Sequence, residues 1–113
     1  MLIVFAWKAH PDYQLVLTAN RDEFHRRPSQ ALHYWPDNSD ILAGRDLQAG
    51  GTWLAAHRQG RFATVTNYRE QQKFDRKHAS RGALVTDFVT TDSSAGSFAT
   101  SIDGGNSAGF SLL

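Results

Sequence analysis

The sequence lacks cysteine altogether and contains one methionine and three prolines among its 113 residues. Without thiols it can form no disulfide, no cysteine-ligated zinc site and no iron–sulfur cluster. An excess of one charge is missing too, because twelve basic and eleven acidic residues leave a net charge of +1. That balance indicates no nucleic-acid partner. The opening apolar run, residues 2–7, is too short for a membrane span or a signal-peptide core. We therefore expect a cytoplasmic protein without membrane insertion.

What remains is the composition of an ordinary globular domain, 41% hydrophobic and 20% charged. A chain of this length has room for one domain, residues 1–113, with a modest core. The apolar segment 109–113 is typical of a strand within a longer chain, so we expect the N-terminal portion of a longer domain. Such a portion exposes a sheet face, which makes self-association possible.

Strand patterns occupy the first two thirds of the sequence. Apolar segments bounded by turn residues predict five strands, over residues 2–7, 14–19, 41–43, 52–56 and 61–66. Pro28, Pro36 and a polar cluster at 37–40 predict a loop-rich stretch over residues 20–40. Residues 67–80 are polar and mixed in charge, which predicts an exposed loop.

Helical periodicity begins after Ser80, a candidate N-cap. Leu84, Val85, Phe88 and Val89 form one apolar stripe and predict a helix. A second short helix is predicted over 95–102, before a last strand over 109–113. Strands followed by helices and a strand predict an α+β fold, with helices layered on a largely antiparallel sheet.

Four polar residues, Asn20, Arg21, Asp22 and Glu23, close the second predicted strand. Alternation along a strand places Asn20 and Asp22 on one side and Arg21 and Glu23 on the other. Arg21 is suited to orient a carboxylate or carbonyl, and Asp22 to hold an ammonium group. The alternative is a salt-bridged strand end that fixes a loop.

Two further segments are candidates for a small-molecule site. Gly50 and Gly51, before Thr52 and Trp53, permit close backbone approach, either to a ligand or to another strand. Asn67 follows a strand and offers an amide donor for an oxyanion, although such residues also serve in turns.

The five histidines show no metal-ligand spacing, so no metal site is predicted. His25 is followed by Arg26 and Arg27, a basic patch suited to an anionic ligand or to solvated surface.

Taken in order, these motifs resemble the NRDE family, whose eukaryotic members are transport-and-Golgi-organisation proteins. The residues that carry the resemblance are Asn20 to Glu23, Arg27-Pro28, Gly44-Arg45-Asp46, Gly50 to Leu54, Thr66-Asn67-Tyr68, Ser80-Arg81-Gly82 and Leu84-Val85. It covers essentially the whole chain, and the family's members are more than twice as long.

The resemblance implies an αββα sandwich of the N-terminal nucleophile hydrolase type, acting on non-peptide carbon–nitrogen bonds. In such enzymes the side chain of the first residue attacks an amide carbonyl, and its own α-amino group takes the proton. An α-amino group titrates at roughly 7.7 to 8.0, which suits a base near neutrality. By analogy Asp22 holds the amine, Arg21 steadies the nucleophile and Asn67 donates to the oxyanion. Asn20, Glu23, His25 and Gly50 to Trp53 are candidate ligand contacts.

One position departs from the family pattern, because Met1 stands where these proteins carry cysteine. A thioether has no proton to yield and forms no thiolate. Either a cysteine is missing from this sequence, or the protein keeps the site without the chemistry. The resemblance also permits a haem carrier, or a non-catalytic protein linked to secretion and Golgi organisation. Met1, His10 and His25 are then the candidate axial ligands.

Overall fold

A computed structural model describes residues 1–67, 80–103 and 109–113. Its elements follow the order β1 (Ile3–Trp7), β2 (Leu15–Ala19), β3 (Ser29–Trp35), β4 (Asn38–Asp46), β5 (Leu54–His57), β6 (Phe62–Asn67), α1 (Arg81–Thr90), α2 (Ala95–Ser101) and β7 (Phe110–Leu112). All strand pairs are antiparallel. The predicted α+β class with antiparallel sheets and two helices is therefore confirmed.

The described strands form two sheets. β1 and β2 make a hairpin in which Ile3 pairs with Ala19 and Trp7 with Leu15. The other five strands form one sheet in the order β3-β4-β5-β6-β7. Val4 and Phe5 in the hairpin are each 54% exposed and Trp7 is 58% exposed. Much of the apolar surface of the hairpin is thus exposed. This is unusual, because a two-stranded hairpin by itself is only marginally stable in water.

The core lies where α1 packs on β5 and β6. Val85 and Val89, one helical turn apart, are fully buried, as are Ala55 and Ala63. In β6, three consecutive residues are buried, which is what a sheet covered on both faces requires. The predicted apolar stripe is therefore the face that α1 buries. Phe88 extends this packing to α2, since the centroids of the Phe88 and Phe98 rings lie 5.3 Å apart.

The helix caps differ in detail from the prediction. Ser80 occupies the N-cap position of α1, but its side chain makes no capping hydrogen bond. Ser94 caps α2 by accepting a hydrogen bond from the Ser97 N–H at 3.2 Å.

The loop predicted over residues 20–40 is wrong for its second half. β3 begins at Ser29 and pairs with β4, and Trp35 at its end is 4% exposed. Two irregularities in the register hide the strand from an alternation test. Pro36 and Asp37 form the tight connection of this hairpin. The turn prediction was therefore correct at these two residues, but the residues on either side form strands and not a loop. The loop predicted over 67–80 lies, from residue 68 to 79, outside the described residues.

No helix in the described ranges is both long and apolar enough to cross a membrane.

Candidate functional site

The first two residues are held by the segment that follows β2. The amino group of Met1 lies 2.6 Å from Oδ2 of Asp22. The Leu2 N–H donates to Oδ1 of Asn20 at 2.6 Å, and the Asn20 N–H donates back to the Leu2 carbonyl at 3.1 Å. Asn20 Nδ2 also donates to Oδ1 of Asp22 at 3.1 Å. We call Met1, Asn20 and Asp22 the amino-terminal site. It fixes the amine against a carboxylate that is 58% exposed, while the Met1 side chain is only 9% exposed.

Arg21 and Glu23 make a separate set of contacts. Their closest charged atoms lie 3.9 Å apart, and Arg27 approaches the same Glu23 oxygen at 4.0 Å. The Arg21 guanidinium lies over the indole of Trp53, 4.3 Å from the ring centroid. The tetrapeptide is thus divided into the two pairs that strand alternation predicts. Among the described residues, no hydrogen bond or ion pair joins Arg21 to Met1.

Two glycines, Gly44 and Gly51, allow neighbouring groups to lie close to the backbone. A Cβ on Gly44 would lie 2.7 Å from the Trp53 ring, so only glycine leaves room for the indole across β4. A Cβ on Gly51 would lie 2.6 Å from the carbonyl carbon of Gly82. Next to it, the Thr52 N–H points at the Gly82 carbonyl at 3.4 Å. Gly51 therefore contacts the start of helix α1, and not another strand, which was the predicted alternative to a ligand.

Asp46, for which no sequence pattern predicted a role, accepts four hydrogen bonds among the described residues. Its Oδ2 accepts from Nε and Nη2 of Arg27, at 2.9 and 2.7 Å. Its Oδ1 accepts from the backbone N–H groups of Gln48 and Ala49. Burial acts to raise the pKa of Asp46, but the hydrogen bonds and the charge of Arg27 outweigh it, so the pKa is lowered. The sequence signal that could have identified Asp46 is the motif Gly44-Arg45-Asp46, which ends an apolar strand segment.

Arg81, at the start of α1, adds a third guanidinium to this region. Burial and then the positive charge of Arg27 lower the pKa of Arg81, while Glu23 acts in the opposite direction. Glu23 is thus an acidic group among Arg21, Arg27 and Arg81. Such a region favours anions, because guanidinium groups here outnumber the carboxylates that face them.

The remaining predicted residues do not join the amino-terminal site. Asn67 is exposed at the end of β6, opposite Phe110 in the register. His25 is exposed, and Thr52 is buried at 1% exposure with its hydroxyl bonded to the Leu54 backbone. Gly50 has a φ of 80° and lies in the β4–β5 connection. Within the described part of the chain, no cluster of three or more His, Asp or Glu residues can hold a metal ion.

An apolar groove of about 670 Å³ lies elsewhere, between the β1–β2 hairpin and the five-stranded sheet. Its walls include Phe5, Trp7, Leu15, Leu17, Phe62 and Phe88. None of the predicted site residues lines it within the described ranges.

Comparison with known proteins identifies a family model and several relatives that cover most of this chain. The family model Transport and Golgi organisation 2 matches residues 1–113. The human Transport and Golgi organization protein 2 homolog is 42% identical over 106 residues, which cover 89% of this chain and 38% of that protein. The mouse Transport and Golgi organization 2 homolog is 45% identical over 84 residues, covering 71% of this chain and 30% of its own. A fruit-fly protein of the same name is 35% identical over 98 residues, covering 79% and 34%.

The chain spans less than two fifths of the length of these relatives. NRDE is a related name for the same family, so the resemblance drawn from the motifs is confirmed at the family level. The chain belongs to the Transport and Golgi organisation 2 family.

Proposed function

We propose that the amino-terminal site binds a small molecule with a planar carbonyl group, such as an amide, in the manner of N-terminal nucleophile hydrolases. The observation that supports this is the contact between the Met1 amine and Asp22 at 2.6 Å, braced by Asn20. An α-amino group held by a carboxylate is the arrangement that the hydrolase mechanism uses for its base, and this supports the proposal. With Met1 at the nucleophile position, the protein binds such a molecule without cleaving it.

In the proposed mechanism, a cysteine at residue 1 would be the nucleophile. A cysteine thiol there gives its proton to the α-amino group, and the sulfur attacks the amide carbon. The carbon–nitrogen bond breaks, the amine leaves with that proton, and water then hydrolyses the thioester. Asp22 holds the amine throughout, and Asn67 would donate to the oxyanion if a bound ligand brings it close. The αββα sandwich is part of this proposal, because the two antiparallel sheets are compatible with it.

Replacing Met1 by cysteine tests the proposal. The Met1→Cys protein is made with an initiator methionine ahead of it, and mass spectrometry verifies that the cysteine has become the first residue. We expect hydrolysis of p-nitroacetanilide at a rate at least about a hundredfold above that of the Met1 protein, the scale that a positioned general base supplies. Release of p-nitroaniline, followed by absorbance, measures it.

A double variant provides the control. Met1→Cys with Asp22→Asn keeps the thiol and removes the carboxylate that holds the amine, so most of the gained activity should be lost. If the Met1→Cys protein has a verified free cysteine terminus, cleaves no amide and forms no acyl-enzyme with p-nitrophenyl acetate, the hydrolase-type site is refuted.

We propose carriage of an apolar ligand as a second function, because the groove between the hairpin and the sheet has aromatic walls and mostly apolar lining. Haem is a ligand that the family resemblance permits. The candidate axial ligands do not fit it there: among the described residues, Met1, His10 and His25 do not line the groove. His10 instead accepts the Asp12 N–H in the β1–β2 connection.

A haemin titration tests the groove. Because no His, Met or Tyr lines the groove among the described residues, we expect haemin to bind there through apolar contacts alone. Its absorbance change should saturate near one equivalent, Leu17→Asp should abolish it, and His10→Ala and His25→Ala should leave it unchanged. A response that does not saturate argues against any specific haem site. An absorbance change that disappears with either histidine would place haem outside the groove and contradict this assignment.

A further inference from the structure

Four arginines in the described residues stack on aromatic rings, and they differ in what their N–H groups do. Arg45 lies 4.2 Å from the Trp35 ring centroid and donates to both carboxylate oxygens of Asp37, at 2.6 and 2.7 Å. Arg61 over Phe88 donates to two backbone carbonyls, and Arg58 over Tyr34 donates to one. Within the described part of the chain, Arg21 over Trp53 donates no hydrogen bond.

Among the described residues, the Arg21 guanidinium is therefore fixed by stacking while its N–H groups have no hydrogen-bond acceptor. It carries five N–H donors, and stacking leaves its edges accessible while the indole covers a face. The Glu23 carboxylate lies 3.9 Å from the Arg21 guanidinium, which is beyond hydrogen-bond distance. The Arg21 side chain is 23% exposed, so a small molecule can reach it.

Gly44 and Trp53 set the position of that guanidinium. The indole crosses β4 at Gly44, where a Cβ would lie 2.7 Å from one ring carbon and 2.8 Å from another. An alanine there would push the ring away from β4, and with it the surface on which Arg21 rests. Trp53 is thus a positioning residue for Arg21, and Gly44 is what permits its placement.

We propose that Arg21, stacked on Trp53, is a subsite for a planar carboxylate, and that Trp53 and Gly44 are its positioning residues. The Arg45–Asp37 pair on Trp35 shows the same arrangement in the same protein with its carboxylate in place. Arg21 on Trp53 repeats the guanidinium and the indole and leaves the carboxylate position to a ligand. The assignment rests on the proposed function only in taking this carboxylate to be part of the molecule that the amino-terminal site binds.

Acetate and acetamide are matched probes, because they have the same shape and differ in charge. We expect sodium acetate, at ionic strength held constant with sodium chloride, to shift the Nε–Hε signal of Arg21 saturably in ¹H–¹⁵N spectra. Acetamide should not. The Nε1–H signal of Trp53 should follow the same curve, while the signal of Arg45, whose carboxylate position is filled, stays still.

Two variants separate positioning from folding. Trp53→Leu should weaken acetate binding at Arg21 about three- to tenfold, the range of one cation–π contact. Gly44→Ala should act in the same direction, and Gly96→Ala, at a site with no atom within 4 Å of the added methyl, should have no effect. If Trp53→Leu does not fold, Trp53→Phe replaces it, with a smaller expected loss.

The proposal is overturned if the Arg21 signal does not respond saturably to acetate, or if acetamide produces the same shifts. It is also overturned if folded Trp53 variants bind acetate as tightly as the unchanged protein. These readouts need no cysteine at residue 1. Acetate binding at Arg21 together with an inactive Met1→Cys protein would keep the subsite and refute the hydrolase-type function. An active Met1→Cys protein without acetate binding at Arg21 would keep the hydrolase-type function and refute the subsite.

Discussion

Gly51→Ala is expected to lower the free energy of unfolding by about 3 kcal/mol, the upper end of the range for overpacked sites, because the surrounding backbone cannot yield. The added Cβ would lie 2.6 Å from the carbonyl carbon of Gly82, 2.8 Å from its oxygen and 3.0 Å from the Ala83 nitrogen. All three are backbone atoms at the start of α1. They cannot rotate away as a side chain does, so α1 must shift from β5 and β6, where Val85 and Val89 are buried. Urea unfolding followed by circular dichroism measures the loss.

Gly96→Ala is the matched control, since it makes the same chemical change in α2 with nothing within 4 Å of the new methyl. It should raise the free energy of unfolding by about 0.4–1 kcal/mol, because alanine restricts the unfolded chain and favours the helix. Gly51→Ala and Gly96→Ala therefore have opposite signs. A Gly51→Ala protein as stable as the parent would mean that the β4–β5 connection does not contact α1 as described.

The paired glycines show what a sequence pattern carries and what it leaves open. Gly50-Gly51 before Thr52 indicated close backbone approach, and the approach exists. Whether it served a ligand or the protein was undecided, because the partner, Gly82, lies 31 positions away (82 − 51) and has no local signature. The same holds for Gly44, whose neighbour in space is the ring of Trp53. Contacts of this kind depend on tertiary packing rather than on periodicity.

The hairpin β3–β4 was missed for a different reason. Its polar turn residues were correctly identified as turn-forming, but their neighbours at 29–35 alternate poorly because the register shifts twice. Asp37 then pairs with Arg45 across the hairpin, a link that only the folded strands bring together. Helix α1 was predictable because Val85 and Val89 repeat at helical spacing, although Ser80 makes no capping hydrogen bond. Sequence periodicity therefore identifies helices and strands that pack regularly. It overlooks a strand such as β3, whose pairing register is irregular.

The candidate site shows the same division. Strand alternation separated Asn20 and Asp22 from Arg21 and Glu23, and the contacts follow that division. The supporting groups, Asp46 and the Trp53 ring, come from β4 and the connection after it. Their roles follow from the pairing of β4 with its neighbours, which no local pattern in the tetrapeptide reports. The positions of Arg21 and Arg27 therefore depend on β4 and on the connection after it.

Asp46→Asn tests that dependence. The amide keeps the shape of the side chain but turns a donor toward Arg27, whose Nε and Nη2 both need an acceptor. We expect a loss of about 2–3 kcal/mol in the free energy of unfolding at pH 7, below the range for a fully buried pair because Arg27 is partly exposed. Asp37→Asn is the control: its ion pair with Arg45 is as short, but its side chain is 59% exposed, so little change is expected.

The pH dependence identifies the charge as the cause. Because the pKa of Asp46 in the folded protein is lowered from 3.8, its contribution is present above the unfolded value and is lost as pH falls through the folded pKa. Asparagine has no such titration and resembles the protonated acid. The stability difference between the unchanged protein and Asp46→Asn should therefore be constant from about pH 7 to pH 5 and shrink below about pH 4. A difference that stayed constant down to pH 3 would assign the loss to hydrogen-bond geometry alone and contradict the ion pair's role.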